Sequence, residues 1–436
     1  MRFVIIGNGA AGNAAARAIL RRLPGADVTM ISSENHPFYS RVLTSYYVAG
    51  KVDYNLVFLA PCTGPGVRTI LGATVVGIDP GRGVVVTHAH GEIPYSRLLV
   101  ATGASPVVPD VPGVRLPGVF TLRTLDDAVG IRRWVTGPRG KDGQGGAGDA
   151  CAGAPAVVIG GGMVGLKAAE ALAALRIPVT VVAASESILS QVLDAEAAGI
   201  VQENLERAGV RFRIGDDVVA FRGDGRVEGV SLRSGRSLEA RTVIVGRGVR
   251  PNTSPVRGLP ISVNRGIIVD KSLRTSVDGI YAAGDACEAF DPLRGRSAVN
   301  ALWTTAVEQG KVAGENMAGA CMEYGGGVAS NSFRFGGFCV SSFGDARGAG
   351  GDRVVARRRG PGWRRVVIRD GRIVGAVEVG PGRSMGVLRA LALKQSPAKE
   401  TTIQAIAEAF LDGNLSFAHV AFRAGVTVWP GSMAGR

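Results

Sequence analysis

"VVIGGGMVGLKAAEAL", residues 157 to 172, decides the fold. An apolar, β-branched run ends in Gly160, Gly162 and Gly165, and a helical stretch rich in Ala and Leu begins at once. In such a strand–turn–helix the first glycine makes the tight turn. The second lets main-chain N–H groups approach a pyrophosphate, and the third lets helix and strand pack closely. The helix N-terminus, at Met163 and Val164, then faces the phosphate charge. The chain already began this way, with "FVIIGNGAAGNAAARAIL" from Phe3 to Leu20, where Gly7, Gly9 and Gly12 bracket Ala10 and Ala11.

Each opening belongs to a strand–helix–strand unit. The pattern predicts Arg2–Gly7, Ala11–Leu23 and Asp27–Ser32 for the first, and Ala156–Gly160, Val164–Arg176 and Pro178–Val182 for the second. One glycine motif is weak support for nucleotide binding. Two copies in the right context imply two dinucleotides, and the usual reason to hold two is hydride passage between them.

The 436 residues suffice for two to four domains. No apolar run approaches the roughly 20 residues that span a bilayer, and Arg2 leads straight into the first strand without a signal-peptide pattern. A cytoplasmic protein with no membrane partner is expected. Five cysteines without CxxC spacing and four histidines without HxxxH argue against a metal site. The net charge of +14 has two readings, a compositional bias toward arginine or a functional basic surface. Nucleic acid is not expected as a partner, because no binding module accompanies the charge.

"SRLLVATGASP", Ser96 to Pro106, reads as a buried strand ending in a glycine turn, and Val107 to Gly118 as a crossing linker. Gly137 to Pro155, which contains Cys151, is low-complexity and reads as a mobile surface insertion. After Gly325 the character changes. Trp363 to Val379 reads as a hairpin turning at Asp370-Gly371, with helices near Met385–Lys394 and Thr402–Leu411.

"TSVDGIYAAGDAC", Thr275 to Cys287, supplies a third element. Together with "VATGA" and the N-terminal opening it resembles the FAD-dependent pyridine nucleotide-disulfide oxidoreductase superfamily over residues 1 to about 320. The resemblance implies an α/β chain with two Rossmann-like dinucleotide-binding domains, the NAD domain inserted in the FAD domain, plus a C-terminal α+β domain. The implied boundaries are 1–115 and 246–322 for FAD, 116–245 for NAD(P)H, and 323–436 for a domain that covers the flavin side and forms a homodimer.

By this resemblance Gly7, Gly9, Ala10, Ala11 and Gly12 hold the FAD pyrophosphate. Asp285, after Gly284, bonds the ribityl chain or phosphate, while Ala101, Thr102, Gly103 and Val76 pass beside the cofactor. Ser33 and Glu34 lie where a ribose acid is expected, and Arg41 near the phosphates or ribityl. The helix from Trp303 and Thr304 resembles one whose N-terminus points at the flavin pyrimidine, Trp303 being otherwise a core aromatic. NAD(P)H is expected at Gly160, Gly162, Met163, Val164, Gly165 and Gly248. The acid that selects NADH would fall at Ala183 and is missing. Glu186 could substitute, and no arginine stands at 183 to 187, so NADH and NADPH both remain open.

Disulfide-reducing members carry two cysteines near the first FAD helix or adjoining the NAD domain, and the peroxide- and CoA-disulfide-reducing branch carries one shortly after the second strand. Asp27 to Pro61 contains none, and Cys62 and Cys287 read as structural. The chain therefore resembles the thiol-less branch of ferredoxin and rubredoxin reductases and the nitrite reductase flavin module. Its second opening is most like that of the FAD–NAD(P)H oxidoreductases associated with carbon monoxide dehydrogenase. That implies electron transfer between NADH or NADPH and an acidic iron–sulfur carrier such as a ferredoxin or rubredoxin. A redox-sensing flavoprotein without turnover and an NADH oxidase are the alternatives. Lys167 stands where the family commonly has Glu near the nicotinamide, as a functional cation or a solvent-facing helix residue. Eight arginines against Asp370 between Arg353 and Arg372 are expected to form a basic docking face or a plain charged surface.

Overall fold

The computed structural model describes residues 1–137, 153–335, 337–380, 382, 384–394 and 400–415. Most of the low-complexity insertion, with Cys151, lies outside the described residues. Each glycine opening starts a parallel sheet. The first contains β1 (Arg2–Ile6), β2 (Asp27–Ile31), β3 (Val67–Ile70) and β4 (Arg97–Val100). The second contains β5 (Val119–Thr121), β6 (Ala156–Ile159), β7 (Val179–Ala183), β8 (Val210–Ile214) and β9 (Thr242–Val245), and β10 (Ile280–Ala282) returns to complete the first. The strand orders are β10-β4-β1-β2-β3 and β5-β9-β6-β7-β8, the same for four strands, with an edge strand that comes last in the chain in the first sheet and first in the second. These strands are runs of Val, Ile and Leu because parallel sheets are covered on both faces. Phe3 to Ile6 and Ala156 to Ile159 are all buried.

The repeat goes further. Between β3 and β4 stands a three-stranded antiparallel sheet (Val75–Asp79, Val84–Thr87, Gly91–Pro94), and between β8 and β9 stands another (Val218–Arg222, Gly229–Leu232, Ser237–Glu239). Short strands follow each fourth strand, Ala104–Pro106 and Val249–Pro251, and these two pair antiparallel with Ser105 opposite Arg250.

The helices α1 (Ala10–Arg22), α2 (Thr44–Val48), α3 (Leu125–Thr136), α4 (Met163–Ala174), α5 (Ala195–Arg207) and α6 (Trp303–Met317) follow in chain order. α6 crosses α1 so closely that only glycine fits at two positions. A Cβ on Gly310 would stand 2.2 Å from the Ala11 carbonyl oxygen, and one on Gly314 would stand 2.4 Å from that of Ala15.

The chain divides into two compact units, Met1–Ala184 with Gly209–Gly327, and Ser185–Ala208 with the residues from Val328 on. The second unit has a five-stranded antiparallel sheet of β11 (Ser330–Phe335), β12 (Phe338–Gly344), β13 (Arg353–Arg359), β14 (Gly362–Arg369) and β15 (Arg372–Gly380), in the order β11-β12-β15-β14-β13. Asp370 (φ 48°) and Gly371 (φ 67°) make the expected turn between β14 and β15. Two helices follow, α7 (Met385–Lys394) and α8 (Glu400–Leu411). α5 joins this unit through Asp194, which accepts a bond from Trp363 Nε1 at 3.2 Å and lies 3.6 Å from Arg365. Among the described residues no helix is long and apolar enough to cross a membrane.

Candidate dinucleotide sites

The glycines of both openings do the work that their spacing implies. Gly7 (φ +127°) and Gly160 (φ +112°) hold backbone that side chains rarely adopt. A Cβ on Gly7 would meet the Ala101 carbonyl oxygen at 2.1 Å, and one on Gly160 would meet that of Gly246 at 2.3 Å. Gly12 and Gly165 press their helices onto the loops, since a Cβ there would lie 2.0 and 2.1 Å from the carbonyl oxygens of Gly7 and Gly160. Around Gly9 and Gly162 a Cβ would meet nothing within 4 Å. That open space leaves the backbone accessible, as the approach of a pyrophosphate requires.

Helix termini sharpen the reading. α3 is capped by Thr124 in a capping box with Asp127, and α5 by Asp194, so their first N–H groups are satisfied by the chain itself. In α1 and α4 no described side chain caps the N-terminus, and neither first turn carries an acid. Two helix N-termini with donors unanswered by side chains suit two phosphate groups.

In the first opening Asn13, fully buried, donates through Nδ2 to the Asn8 carbonyl oxygen at 3.1 Å and to its Oδ1 at 3.0 Å, and accepts from Cys62 N at 2.8 Å. Behind it a polar chain joins three of the predicted FAD residues. Tyr39 Oη donates to Glu34 Oε2 at 2.6 Å and accepts from Arg41 Nη1 and Leu125 N, each at 3.0 Å. Arg41 pairs with Glu34 and donates to the Arg123 carbonyl oxygen at 2.9 Å. Arg123 in turn bonds Asp285 Oδ2 at 2.9 Å. Burial pushes the Tyr39 hydroxyl well up, and Glu34 adds to that. Burial opposes the charge of Arg41, yet Tyr39 and Glu34 beside it leave its pKa raised. Tyr39, Arg123 and Asn13 were not singled out from the sequence. The Thr124–Asp127 capping pattern was the available signal, because it fixes the residue before it at a helix entry.

Asp285 is aimed by its neighbours. Gly284 N donates to Gln309 Oε1 at 2.8 Å, and the Cys287 thiol donates to the same oxygen at 3.1 Å. Trp303 stacks on Phe38 with centroids 5.8 Å apart, and Thr304 is exposed. Thr102 Oγ1 donates to the Asn252 carbonyl oxygen at 2.6 Å, and Gly103 accepts from Asn252 N at 2.9 Å. Ser33 is exposed at the loop after β2, and Val76 is exposed on the first antiparallel sheet.

In the second opening Met163 is partly buried and Val164 exposed, while Gly248 (φ +89°) is open to solvent after β9. Glu186 is exposed and belongs to the second compact unit. Lys167 does not point out to solvent. Its side chain is 18% exposed, its Nζ lies 2.8 Å from Glu170 Oε2, and it stands 5.4 Å above the ring of Tyr46 on α2. A cavity of about 10 Å³ lined by Ser45, Tyr46, Lys51, Lys167 and Glu170 lies there, room for roughly one water.

Cys62 and Cys287 are buried, and burial raises both thiols, Cys287 to about 12. Neither offers a thiolate near neutral pH. The expected basic face of the C-terminal unit is different from its sequence. Arg357 bonds Glu408 and Asp412, Arg359 bonds Asp412, Arg364 bonds the buried Glu378, and Arg369 bonds Asp345 and Asp352. Acids distant in sequence supply the countercharge, so strand alternation alone overstated the exposed charge.

The profile of the pyridine nucleotide-disulphide oxidoreductase family matches residues 1–310. The chain belongs to that family. It is 30% identical over 409 residues to nitrite reductase [NAD(P)H] of Bacillus subtilis (strain 168), covering 92% of this chain and 48% of that one. It is 30% identical over 300 residues to rubredoxin-NAD(+) reductase of Ectopseudomonas oleovorans, covering 68% and 74%. The ferredoxin reductase for the CYP199A2 system from Rhodopseudomonas palustris superposes with a TM-score of 0.81 at 25% identity, over 95% of this chain and 99% of that one. The chain thus spans about half the length of the nitrite reductase. Two glycine cradles of this geometry suit two dinucleotides, as membership of a pyridine nucleotide-disulphide oxidoreductase family implies.

Proposed function

We propose that the protein moves electrons between NAD(P)H, held at the second opening, and a one-electron iron–sulfur carrier, by way of FAD held at the first. Bound FAD supplies the exchange between two-electron hydride chemistry and one-electron transfer. The observation that carries this reading is the pairing of two complete phosphate cradles with the buried, raised thiols of Cys62 and Cys287. The chain's own residues hold rather than react. Asn13 pins the first loop, Arg123 bonds Asp285, Gln309 holds Gly284 and Cys287 on either side of it, and Lys167 lies on α4 where it meets α2. Lys167 is the catalytic candidate, set near the nicotinamide and flavin to stabilise negative charge on the reduced ring.

The acceptor we favour is ferredoxin- or rubredoxin-like, a carbon monoxide dehydrogenase ferredoxin subunit among them. The relatives named for rubredoxin and ferredoxin support this choice. Homodimerisation through the C-terminal domain and a cytoplasmic location complete the proposal. Stopped-flow absorbance tests it. Flavin bleaching by NADH or NADPH, followed by reoxidation with ferredoxin, is expected. Bleaching without reoxidation by any iron–sulfur carrier would favour a redox sensor or, with rapid oxygen consumption, an NADH oxidase.

A further inference from the structure

The two sheets are the same architecture, so residues at equivalent places can be compared directly. Val100 ends β4 opposite Ile6, and Val245 ends β9 opposite Ile159. Ala101-Thr102-Gly103 follows the first and Gly246-Arg247-Gly248 the second. The short strands that come next pair with one another across the repeat. Arg247 therefore holds the place of Thr102.

That place lies at the mouth of an opening. A Cβ on Gly160 would stand 3.3 Å from Arg247 N, and one on Gly246 would stand 2.9 Å from Gly165 Cα. It is also the point between β6 and β9 where the strand order reverses, the crevice in which such sheets bind ligands. Thr102 is neutral there. Arg247 is a cation, and its side chain is 31% exposed.

Its direction is set by Asp217, whose side chain is only 9% exposed. Arg247 Nη1 donates to Asp217 Oδ1 at 2.9 Å, and Arg233 approaches Oδ2 at 3.4 Å. Two guanidinium groups on one carboxylate leave the cluster positive. A guanidinium has five N–H donors, and the bond to Asp217 uses one of them, so the group can be held on one edge and still bind an anion.

We propose that Arg247, positioned by Asp217, is a phosphate-binding residue of the second opening and takes a phosphate oxyanion of the nicotinamide dinucleotide. The proposal rests on reading that opening as the NAD(P)H site. Two phosphates share this chemistry, the diphosphate present in both nucleotides and the 2′-phosphate of NADPH alone.

Titration calorimetry of the FAD-loaded protein with NAD⁺ and NADP⁺ tests it, using Arg247→Met and Arg247→Lys. Loss of one charge-assisted contact is expected to weaken binding roughly tenfold in Arg247→Met, with partial recovery in Arg247→Lys. Equal weakening for both nucleotides assigns the contact to the diphosphate. Weakening for NADP⁺ alone assigns it to the 2′-phosphate. Affinities matching the parent for both nucleotides overturn the proposal. Should Arg247→Met not fold, Arg247→Gln gives the same comparison, with FAD content and thermal midpoint as controls. A parent that binds neither nucleotide overturns the reading of the opening itself, whereas a parent that binds while the variants match it overturns only the role of Arg247.

Discussion

The two glycine openings share a backbone and differ in what surrounds it. At the first, Asn13 ties the loop to itself and to Cys62, and at the equivalent place of the second stands Leu166, fully buried and apolar. Ala14 and Thr102 of the first correspond to Lys167 and Arg247 of the second. The first loop is held by hydrogen bonds and lies beside a network of paired charges. The second is held by apolar packing, and at its rim stand Lys167, paired with Glu170, and Arg247, which shares Asp217 with Arg233. A pinned cradle suits a resident cofactor, and a cationic rim suits an anionic substrate that comes and goes.

The largest effects should come from the shared backbone. Gly12→Ala and Gly165→Ala each force a Cβ to about 2 Å from a carbonyl oxygen that belongs to the turn itself. Each is expected to cost about 3 kcal/mol or more of stability. Gly12→Ala should abolish FAD retention, while Gly165→Ala should leave a yellow protein that NAD(P)H bleaches poorly. Absorbance at 450 nm and thermal melting check both. Loss of FAD in both variants alike would break the division of labour between the openings.

Asp285→Ala comes next. It removes the carboxylate that Arg123 bonds and leaves that guanidinium, 22% exposed, without its partner. FAD affinity should fall by at least tenfold, measured by flavin fluorescence on dilution, with nucleotide binding at the second opening retained. Full FAD retention would remove Asp285 from the site.

Lys167→Glu tests the rim of the second opening. The variant loses the pair with Glu170 and puts two acids three residues apart on α4. Hydride-transfer rate or NAD(P)H affinity should change by about tenfold, near 1.4 kcal/mol. Unchanged reductive half-reaction kinetics would limit Lys167 to its ion pair.

Much of this was legible in the residues. The glycine spacing, the period of the flanking helices and the motif around Asp285 were enough to place both cradles, because those constraints are local and backbone-borne. The polar chain through Tyr39 and Arg123 was not legible. Arg41 and Tyr39 lie 82 and 86 residues before their partners Arg123 and Leu125, and the packing of α3 against α2 brings the two segments together. The arginines of β13 and β14 failed for the same reason, since their acids come from α5, α8 and the loops before β13.

Cysteine removal should have a smaller effect. With every cysteine changed to Ser or Ala, artificial-acceptor reduction should stay within several-fold of the parent. The pH profile should show no thiol step near neutrality. Because folding raises the Cys287 thiol, its stabilising contribution is complete below the ordinary thiol range near 9 and is lost as pH rises toward about 12. Alkaline melting curves of Cys287→Ala should therefore lose less stability over that interval than the parent. A specific collapse of turnover in Cys62→Ser or Cys287→Ser with FAD still bound would restore thiol chemistry.

The smallest effect concerns the C-terminal arginines, and the ion pairs change how it must be tested. Reversing Arg357 or Arg359 to Glu would set new acids against Glu408 and Asp412 and disturb α8, so a loss of activity there would report folding. Arg358 is exposed on β13, and alternation turns it to the other face from those two. Arg358→Glu is the cleaner probe of an acidic carrier. One exposed charge steers encounter weakly, so reduction of a ferredoxin should slow by only a few-fold at low ionic strength. The difference should vanish as the Debye length shrinks below about 10 Å, above 0.1 M salt. Ferricyanide reduction and the thermal midpoint should not move. Equal ferredoxin rates in parent and variant at low salt would place carrier docking away from this strand and leave the arginines as the partners of α5, α8 and the acidic loops.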